Sequence, residues 1–239
     1  MGEFIHLVSG DKDIHTYLAK PAKPNGCGIV LGCAVWGLNF DLVNFAECYA
    51  ALGYTVLAPN LFWRLQPEHA IDYDFEQMPF AHSLAQSGSN DEGLEDFRLA
   101  CAELKGKYGC KRVAVIGWCY GGRIACLAAT EKTFDACIGI YPTFLEKHLD
   151  IADRVQVPMN IHLPELERYG TIDNVIERMT EAFADNPLVE SYVYPGAEHG
   201  FDFAPPHPYG NHASSRLCDS RVIRFLDRTL LGQESTVAA

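Results

Sequence analysis

The 239 residues are 48% hydrophobic and 21% charged, ordinary proportions for a globular chain that can bury a substantial core. The formal net charge of −12 would repel nucleic acid and anionic membranes, so we expect neither as a partner, although a small anionic substrate needs only one local arginine. The first residues lack the basic and apolar regions of a signal peptide, and no apolar run is long enough to span a bilayer. We therefore expect a cytoplasmic protein.

Nine cysteines are present, but they do not suggest a disulfide framework, because their number is odd and no C-x-x-C pair occurs. The same spacing argues against zinc-ribbon and thioredoxin-type sites. Several cysteines lie inside apolar segments, where they are predicted to be small core residues in a reducing compartment. These are Cys27, Cys33, Cys101, Cys126 and Cys137.

The first part of the chain combines short apolar segments with one amphipathic segment. Glu3–Val8 and Asp13–Leu18 alternate in polarity around a turn, which predicts an antiparallel hairpin. Cys27–Leu31 and Tyr54–Ala58 are apolar runs that predict buried strands. Between them, Asp41–Leu52 has apolar residues at helical spacing.

Residues 60–90 show no clear period, and they contain prolines and aromatic residues, which is typical of a functional loop or cap. A helix is then predicted over Glu92–Lys107. Lys111–Ile116 is a predicted strand that leads into a helix at Tyr120–Thr130, and Phe134–Ile140 is the next predicted strand.

The remaining residues continue this alternation of strands and helices. Val157–Leu163 and Leu188–Tyr194 are predicted strands, and Asp173–Phe183 and Ala213–Leu230 are predicted helices. The pattern predicts an α/β fold with a mostly parallel sheet, helices on both faces and an N-terminal antiparallel hairpin. Because no linker or internal repeat divides the chain, we expect a single domain over residues 1–239.

The strongest functional signal is the turn around Cys119, which reads Gly-x-Cys-x-Gly-Gly between a predicted strand and a predicted helix. This context predicts the nucleophile elbow of α/β-hydrolases, with cysteine in place of serine. The flanking glycines permit a strained turn, and the helix N-terminus favours a thiolate. The alternative interpretation is a glycine-rich turn that holds an inert, buried cysteine.

A cysteine nucleophile needs a base and a group that orients the base. In this architecture the nucleophile, the acid and the histidine follow successively later strands. His199 lies just beyond the last predicted strand and is the predicted base. His162 lies within an apolar strand and is interpreted as a core residue.

The acid is expected in the loop that follows Val157–Leu163, where three carboxylates compete: Glu165, Glu167 and Asp173. Asp173 begins a helical pattern and could serve as its N-cap. Glu167 sits in the turn itself, and its side chain can reach the histidine Nδ1. Glu167 is the predicted acid, and Asp173 is the alternative.

The oxyanion hole is expected to use two backbone N–H groups. One belongs to Tyr120, immediately after the nucleophile. The other comes from the loop after the strand Cys27–Leu31, and Val35 is the predicted donor.

Four segments resemble the dienelactone hydrolase (carboxymethylenebutenolidase) family. They are Gly-x-Cys-x-Gly-Gly, the sequence Ala-Glu-His-Gly-Phe around His199, the sequence Gly-Cys-Ala-Val-Trp-Gly-Leu-Asn from Gly32, and Ala58–Arg64. The resemblance covers the whole chain and implies an α/β-hydrolase fold. It also implies a Cys–His–acid triad that hydrolyses a lactone ester in aromatic-compound degradation, with no metal or organic cofactor. Cys119 would be the nucleophile and His199 the base.

The sequence departs from the pattern of this family at three positions. Ala34 replaces a glutamate that holds the resting thiol, so we expect a thiolate–imidazolium pair before substrate binds. Arg64 matches one of two arginines that hold the substrate carboxylate, whereas Phe203 stands where the second would be. Glu167 stands where the family has an aspartate. Arg64, Phe203 and Trp36 are nevertheless expected to bind substrate in an aromatic-lined pocket.

We therefore predict acyl transfer on a small ester or lactone, one that can carry a carboxylate, by a monomer or small homo-oligomer. A broader carboxylesterase or thioesterase of the same fold is an alternative, favoured by Ala34 and Phe203. A non-catalytic or redox-sensing protein in which Cys119 is merely oxidised is the other alternative.

Overall fold

The computed structural model describes residues 2–72, 74–170, 173–203 and 209–233. Within this part of the chain, eight strands form one sheet. The strands are β1 (Glu3–Ser9), β2 (Lys12–Ala19), β3 (Cys27–Gly32), β4 (Thr55–Pro59), β5 (Arg112–Trp118), β6 (Ala136–Ile140), β7 (Met159–Leu166) and β8 (Val189–Glu198). Their order across the sheet is β1-β2-β4-β3-β5-β6-β7-β8.

Five of the helices lie in the connections between the parallel strands, and α6 follows the last strand. They are α1 (Phe40–Ala51), α2 (Met78–Ser87), α3 (Asn90–Gly106), α4 (Cys119–Ala128), α5 (Val175–Phe183) and α6 (His212–Leu226), with 3₁₀ turns at Phe75–Gln77 and Leu145–Arg154 and a π-helical turn at Asp227–Leu231. Helix α1 packs on β4, α3 on β3, and α4 on β5 and β6.

The strand pairing confirms the predicted α/β architecture. β1 pairs antiparallel with β2, and β2 pairs antiparallel with β4. All pairs from β4 through β3, β5, β6 and β7 to β8 are parallel. Every residue of β3 and of β6 is buried, as expected for central parallel strands that are covered on both faces.

Two stretches differ from the sequence-based prediction. The irregular stretch 60–90 contains helix α2, in which Ala81 and Leu84 are buried at the spacing of one helical face. Helix α5 begins at Val175 rather than at Asp173. Asn174 precedes it in the left-handed region, with a φ of 55° and no side-chain cap, so Asp173 is not the N-cap.

This topology places five loops at one edge of the sheet, because the carboxyl ends of parallel strands meet there. The loops follow β3, β4, β6, β7 and β8, and the turn between β5 and α4 lies among them. No helix in the described part of the chain is long and apolar enough to cross a membrane.

Candidate active site

The turn between β5 and α4 is strained at Cys119, which is the first residue of the helix and has a φ of 53°. The neighbouring glycines are required by close backbone packing. A Cβ on Gly117 would lie 2.2 Å from the carbonyl oxygen of Gly121, and a Cβ on Gly121 would lie 2.4 Å from the carbonyl carbon of Gly32. Left-handed backbone in a residue other than glycine costs free energy and is concentrated at functional sites. The turn therefore presents the sulfur at the N-terminus of α4.

The Cys119 side chain is buried, and its Sγ lies 2.9 Å from Oγ1 of Thr143 in the loop after β6. Burial acts to raise the pKa of the thiol, but the charge and hydrogen bond of His199 and the hydrogen bond of Thr143 outweigh it. The pKa of Cys119 is thus lowered below its ordinary value. This shift favours the thiolate.

His199 directly follows β8, and its Nδ1 lies 2.8 Å from Oε2 of Glu167, the first residue after β7. Both side chains are buried. Burial disfavours the imidazolium, but the charges of Cys119 and Glu167 raise the pKa of His199 to about 10. Burial likewise opposes the Glu167 carboxylate, but His199 and the amide of Tyr169, whose N–H donates to Oε1 at 2.9 Å, hold the pKa of Glu167 low.

The two competing carboxylates lie elsewhere. Asp173 is exposed at the start of the α5 segment. Glu165 is exposed and accepts a hydrogen bond of 2.7 Å from the N–H of Gly196. Glu167 is therefore the one of the three that contacts His199.

Aromatic rings brace the imidazole on two sides. The ring centroids of Tyr141 and Tyr169 lie 4.6 and 4.7 Å from that of His199. The Tyr141 hydroxyl and the Trp118 indole N–H both donate to the buried Asp202, at 2.5 and 2.6 Å. Burial raises the pKa of Asp202 to about 7 despite these two donors. Tyr141 has a φ of 36°, so its position against His199 is held by a strained backbone.

A cavity of about 250 Å³ opens onto the sulfur. It is lined by Ala34, Val35, Trp36, Met78, His82, Ala85, Gln86, Cys119, Tyr120, Arg123, Thr143, Phe144, Tyr169, His199, Phe203 and Tyr209. Tyr120 is the second residue of α4, and the first N–H groups of a helix have no partner within the helix. The N–H of Gly121 donates to the Cys33 carbonyl at 3.0 Å, which fixes this helix start against the loop that carries Val35.

The comparisons with known proteins identify the family and the fold. The model of the dienelactone hydrolase family matches residues 14–230. The chain belongs to this family. A carboxymethylenebutenolidase of Pseudomonas sp. strain P51 is 28% identical over 214 residues, which are 89% of each chain. As a family member, the chain is a hydrolase that acts on ester or lactone bonds.

Solved structures show the same fold. A Klebsiella pneumoniae protein assigned as a dienelactone hydrolase superposes with a TM-score of 0.82 at 20% identity, covering 95% of this chain and 98% of that one. An alpha-beta serine hydrolase homologue from Coxiella burnetii superposes with a TM-score of 0.65 at 15% identity, covering 95% and 97%. The fold is the α/β-hydrolase fold.

Within this family member, Arg64 does not occupy the expected substrate position. Its guanidinium forms two hydrogen bonds with the fully buried carboxylate of Asp96, at 2.7 and 2.9 Å, and stacks over the Trp63 ring. Arg64 is not among the residues that line the cavity. The expectation that it holds a substrate carboxylate needs correction, because Asp96 already satisfies both guanidinium N–H groups on that side. Trp36 and Phe203, in contrast, line the cavity as expected.

A different arginine lines the cavity. Arg123 is buried on α4; its Nη1 donates to the Thr143 carbonyl at 3.0 Å and its Nε donates to the Asn90 side chain at 2.9 Å. Burial lowers its pKa, although the charges of Tyr120, Cys119 and Glu146 act to raise it. It is the one arginine among the described residues of the lining.

Sequence reasoning missed Thr143, Arg123, Tyr169 and His82, all of which line the cavity. Arg123 could have been found from the sequence. It follows Cys119 by four residues, and residues four positions apart lie on the same face of a helix. Thr143 and Tyr169 follow β6 and β7, so the rule that sites lie at the carboxyl ends of parallel strands points to both loops. His82 lies on α2, the helix that was not predicted. Among the described residues, no cluster of side chains suited to hold a metal ion is found.

Proposed function

We propose that Cys119, His199 and Glu167 form a catalytic triad that hydrolyses an ester or lactone through an acyl-enzyme. The observation that carries this proposal is the buried arrangement of the three groups at one cavity. A cysteine on a strained elbow shares hydrogen-bonding and charge interactions with His199, which in turn contacts Glu167 at 2.8 Å. Nucleophile, base and orienting acid are the parts that covalent acyl transfer requires.

The directions of the pKa shifts support a resting thiolate–imidazolium pair. The pKa of Cys119 is lowered and that of His199 is raised to about 10 by the same mutual attraction. Both directions favour the state in which the proton resides on His199 rather than on the sulfur. Ala34, which lines the cavity beside the elbow, brings no carboxylate that could reverse this polarity.

In the first step, the Cys119 sulfur attacks the carbonyl carbon, and the resulting oxyanion accepts hydrogen bonds from the N–H groups of Tyr120 and Val35. The intermediate collapses with cleavage of the carbon–oxygen bond of the ester, and His199 gives its proton to the leaving oxygen. His199 then takes a proton from water, which attacks the thioester and releases the acid and the thiolate. Glu167 fixes the tautomer of His199 and stabilises its charged form.

The lining of the cavity favours an apolar substrate that carries one anionic group. Trp36, Met78 and Phe203 supply apolar surface. Arg123 supplies a positive charge at the cavity, and guanidinium groups bind carboxylates well. We propose that Arg123 takes the role for which Arg64 was expected.

Replacing Arg123 with methionine is expected to lower kcat/KM for a carboxylate-bearing lactone by about tenfold to a hundredfold, the range for a lost hydrogen bond to a charged group. For the neutral methyl ester of the same lactone, kcat/KM should change by less than about threefold, because an ester group forms no ion pair with the arginine. The measurement is the ratio of the two kcat/KM values. This ratio is independent of the amount of folded protein.

Arg64→Met is the matched control and should leave the ratio unchanged, since Arg64 faces Asp96 rather than the cavity. A ratio that shifts in the Arg64 variant, or that stays constant in the Arg123 variant, would reverse the assignment.

The reaction class itself is tested by turnover of activated aryl esters and enol-lactones by the purified protein. We expect a burst of product followed by slower steady turnover, because thioesters form readily and hydrolyse more slowly. Efficient turnover of neutral esters with no preference for anionic ones would favour the broader carboxylesterase or thioesterase. Absence of turnover on every activated substrate would contradict the proposal and favour a redox role for Cys119.

A further inference from the structure

The loop that connects β6 to the 3₁₀ turn at Leu145–Arg154 has a strained backbone and lies beside the Cys119 sulfur. Tyr141 and Phe144 have φ values of 36° and 61°, so two residues other than glycine in this four-residue segment adopt the left-handed region. Such backbone costs free energy and persists where the surrounding contacts enforce it. Thr143 is the residue of this loop whose side chain contacts the Cys119 sulfur.

Thr143 is attached to the elbow through three of its groups. Its Oγ1 lies 2.9 Å from the Cys119 Sγ, its N–H donates to the Cys119 carbonyl at 3.2 Å, and its own carbonyl accepts from Nη1 of Arg123 at 3.0 Å. The backbone contacts fix where the hydroxyl stands relative to the sulfur. A hydroxyl beside a thiolate can only donate to it, because the thiolate carries no proton.

We propose that Thr143 is a positioning residue whose hydroxyl donates a hydrogen bond to the resting Cys119 thiolate and holds the sulfur in place beside His199. This inference rests on the proposed function, because it treats Cys119 as the nucleophile. The direction of the pKa shift supports it, since the Thr143 hydrogen bond is one of the interactions that lower the pKa of Cys119.

The Thr143 hydroxyl stabilises the thiolate, whereas a carboxylate at position 34 would destabilise it. A carboxylate there would repel the thiolate and favour the protonated thiol. A hydroxyl donor stabilises the charged form without adding charge of its own. It also leaves the imidazole free to act on the leaving group, since the sulfur has a second donor.

Several other ionisable groups influence the sulfur and must be held constant in any test. They are His199, Glu167, Tyr169, Tyr141, Arg123 and Cys33. The substitutions used are therefore confined to the Thr143 side chain and change its charge in no case. Thr143→Val keeps the shape and the backbone contacts, and Thr143→Ser keeps the hydroxyl.

The experiment measures the pH dependence of iodoacetamide alkylation of Cys119 and of thiolate ultraviolet absorbance, each corrected by the Cys119→Ser variant. For Thr143→Val we expect the midpoint of both curves to move to higher pH. Below that midpoint the alkylation rate should fall about threefold to tenfold, because fewer thiolates are present although each is more nucleophilic. Above the midpoint the rate should equal or exceed that of the unaltered protein.

Thr143→Ser should restore the original midpoint, and Thr16→Val should leave it unchanged. Thr16 is a matched control, a fully buried threonine on β2 whose hydroxyl donates to the Ile14 carbonyl. If Thr143→Val does not fold, Thr143→Ala serves in its place with the same expected shift. An unchanged midpoint in the folded variant, whatever its thermal stability, would overturn the inference.

The alkylation curve needs no substrate, so the two proposals can fail separately. A midpoint that moves in Thr143→Val, in a protein that turns over no ester, would contradict the hydrolase proposal and leave the role of Thr143 intact. Normal ester turnover, together with an alkylation midpoint that is the same in Thr143→Val as in the unaltered protein, would contradict only the role of Thr143.

Discussion

Replacing Cys119 with alanine is expected to lower kcat/KM for an activated ester by about 10⁴-fold or more, the scale seen when the nucleophile of a triad is removed. The sulfur forms the covalent bond to the acyl group in the proposed mechanism, and none of the neighbouring groups can replace it. The Thr143 hydroxyl that lies 2.9 Å away is a neutral alcohol and a weak nucleophile, and His199 would lose the thiolate, one of its two anionic partners. The measurement is steady-state hydrolysis, with folding checked by circular dichroism.

Cys48→Ala is the control for this substitution, because Cys48 is an exposed free cysteine. It should retain the activity of the unaltered protein. A Cys119→Ala variant that keeps more than about a tenth of the activity would show that water attacks the ester directly. In that case His199 would act as a general base without a covalent intermediate.

The second large loss of activity is expected when Glu167, the proposed acid of the triad, is replaced. Glu167→Gln should lower kcat by about 10²- to 10⁴-fold, because an amide can present the wrong partner to His199 Nδ1 and no longer stabilises the imidazolium. The Glu167 charge is one cause of the raised pKa of His199, so the pKa of His199 should fall toward its ordinary value in this variant. The thiolate–imidazolium pair then loses stability, and alkylation of Cys119 should require a higher pH.

Asp173→Asn is the matched control, since Asp173 lies in the same loop but is exposed. It should leave both kcat and the alkylation curve unchanged. Glu167→Asp keeps the charge but shortens the reach, so its kcat should fall between those of the unaltered enzyme and Glu167→Gln. A larger loss in Asp173→Asn than in Glu167→Gln would move the acid to Asp173.

The fold was predictable because its signals are local. The apolar runs at β3, β5 and β6 are buried on both faces in the structure, and short buried runs between helical segments already indicate a parallel sheet. The elbow was predictable for a similar reason. A strand, a glycine-flanked cysteine and a helix are contiguous in sequence, and backbone packing at Gly117 and Gly121 leaves no room for a Cβ.

Helix α2 was not predicted because its helical signal is weak. Only Ala81 and Leu84 are buried in it, and proline near its start and polar residues around it hide the period. The burial of this one face against the rest of the protein, which the local sequence does not reveal, stabilises the helix. His82 lines the cavity and was missed for the same reason, because it lies on this helix.

The error at Arg64 has a physical cause that sequence spacing does not show. Its partner Asp96 lies 32 residues away on α3, and a buried carboxylate in bidentate contact holds a guanidinium more firmly than an open pocket does. Thr143 was missed for the complementary reason. Its contact with Cys119 depends on the strained backbone of the loop after β6, and nothing in the local sequence specifies that conformation.

In the proposed mechanism the acyl group passes through the sulfur of Cys119. The most direct measurement is mass spectrometry of peptides from enzyme quenched with acid during turnover of an activated ester. We expect the peptide containing Cys119 to carry the mass of the acyl group as a hydroxylamine-sensitive thioester. The same adduct should accumulate to a higher level in Glu167→Gln if deacylation slows more than acylation. Product release with no acylated Cys119 at any time of quenching, or an acyl group on another residue, would contradict it.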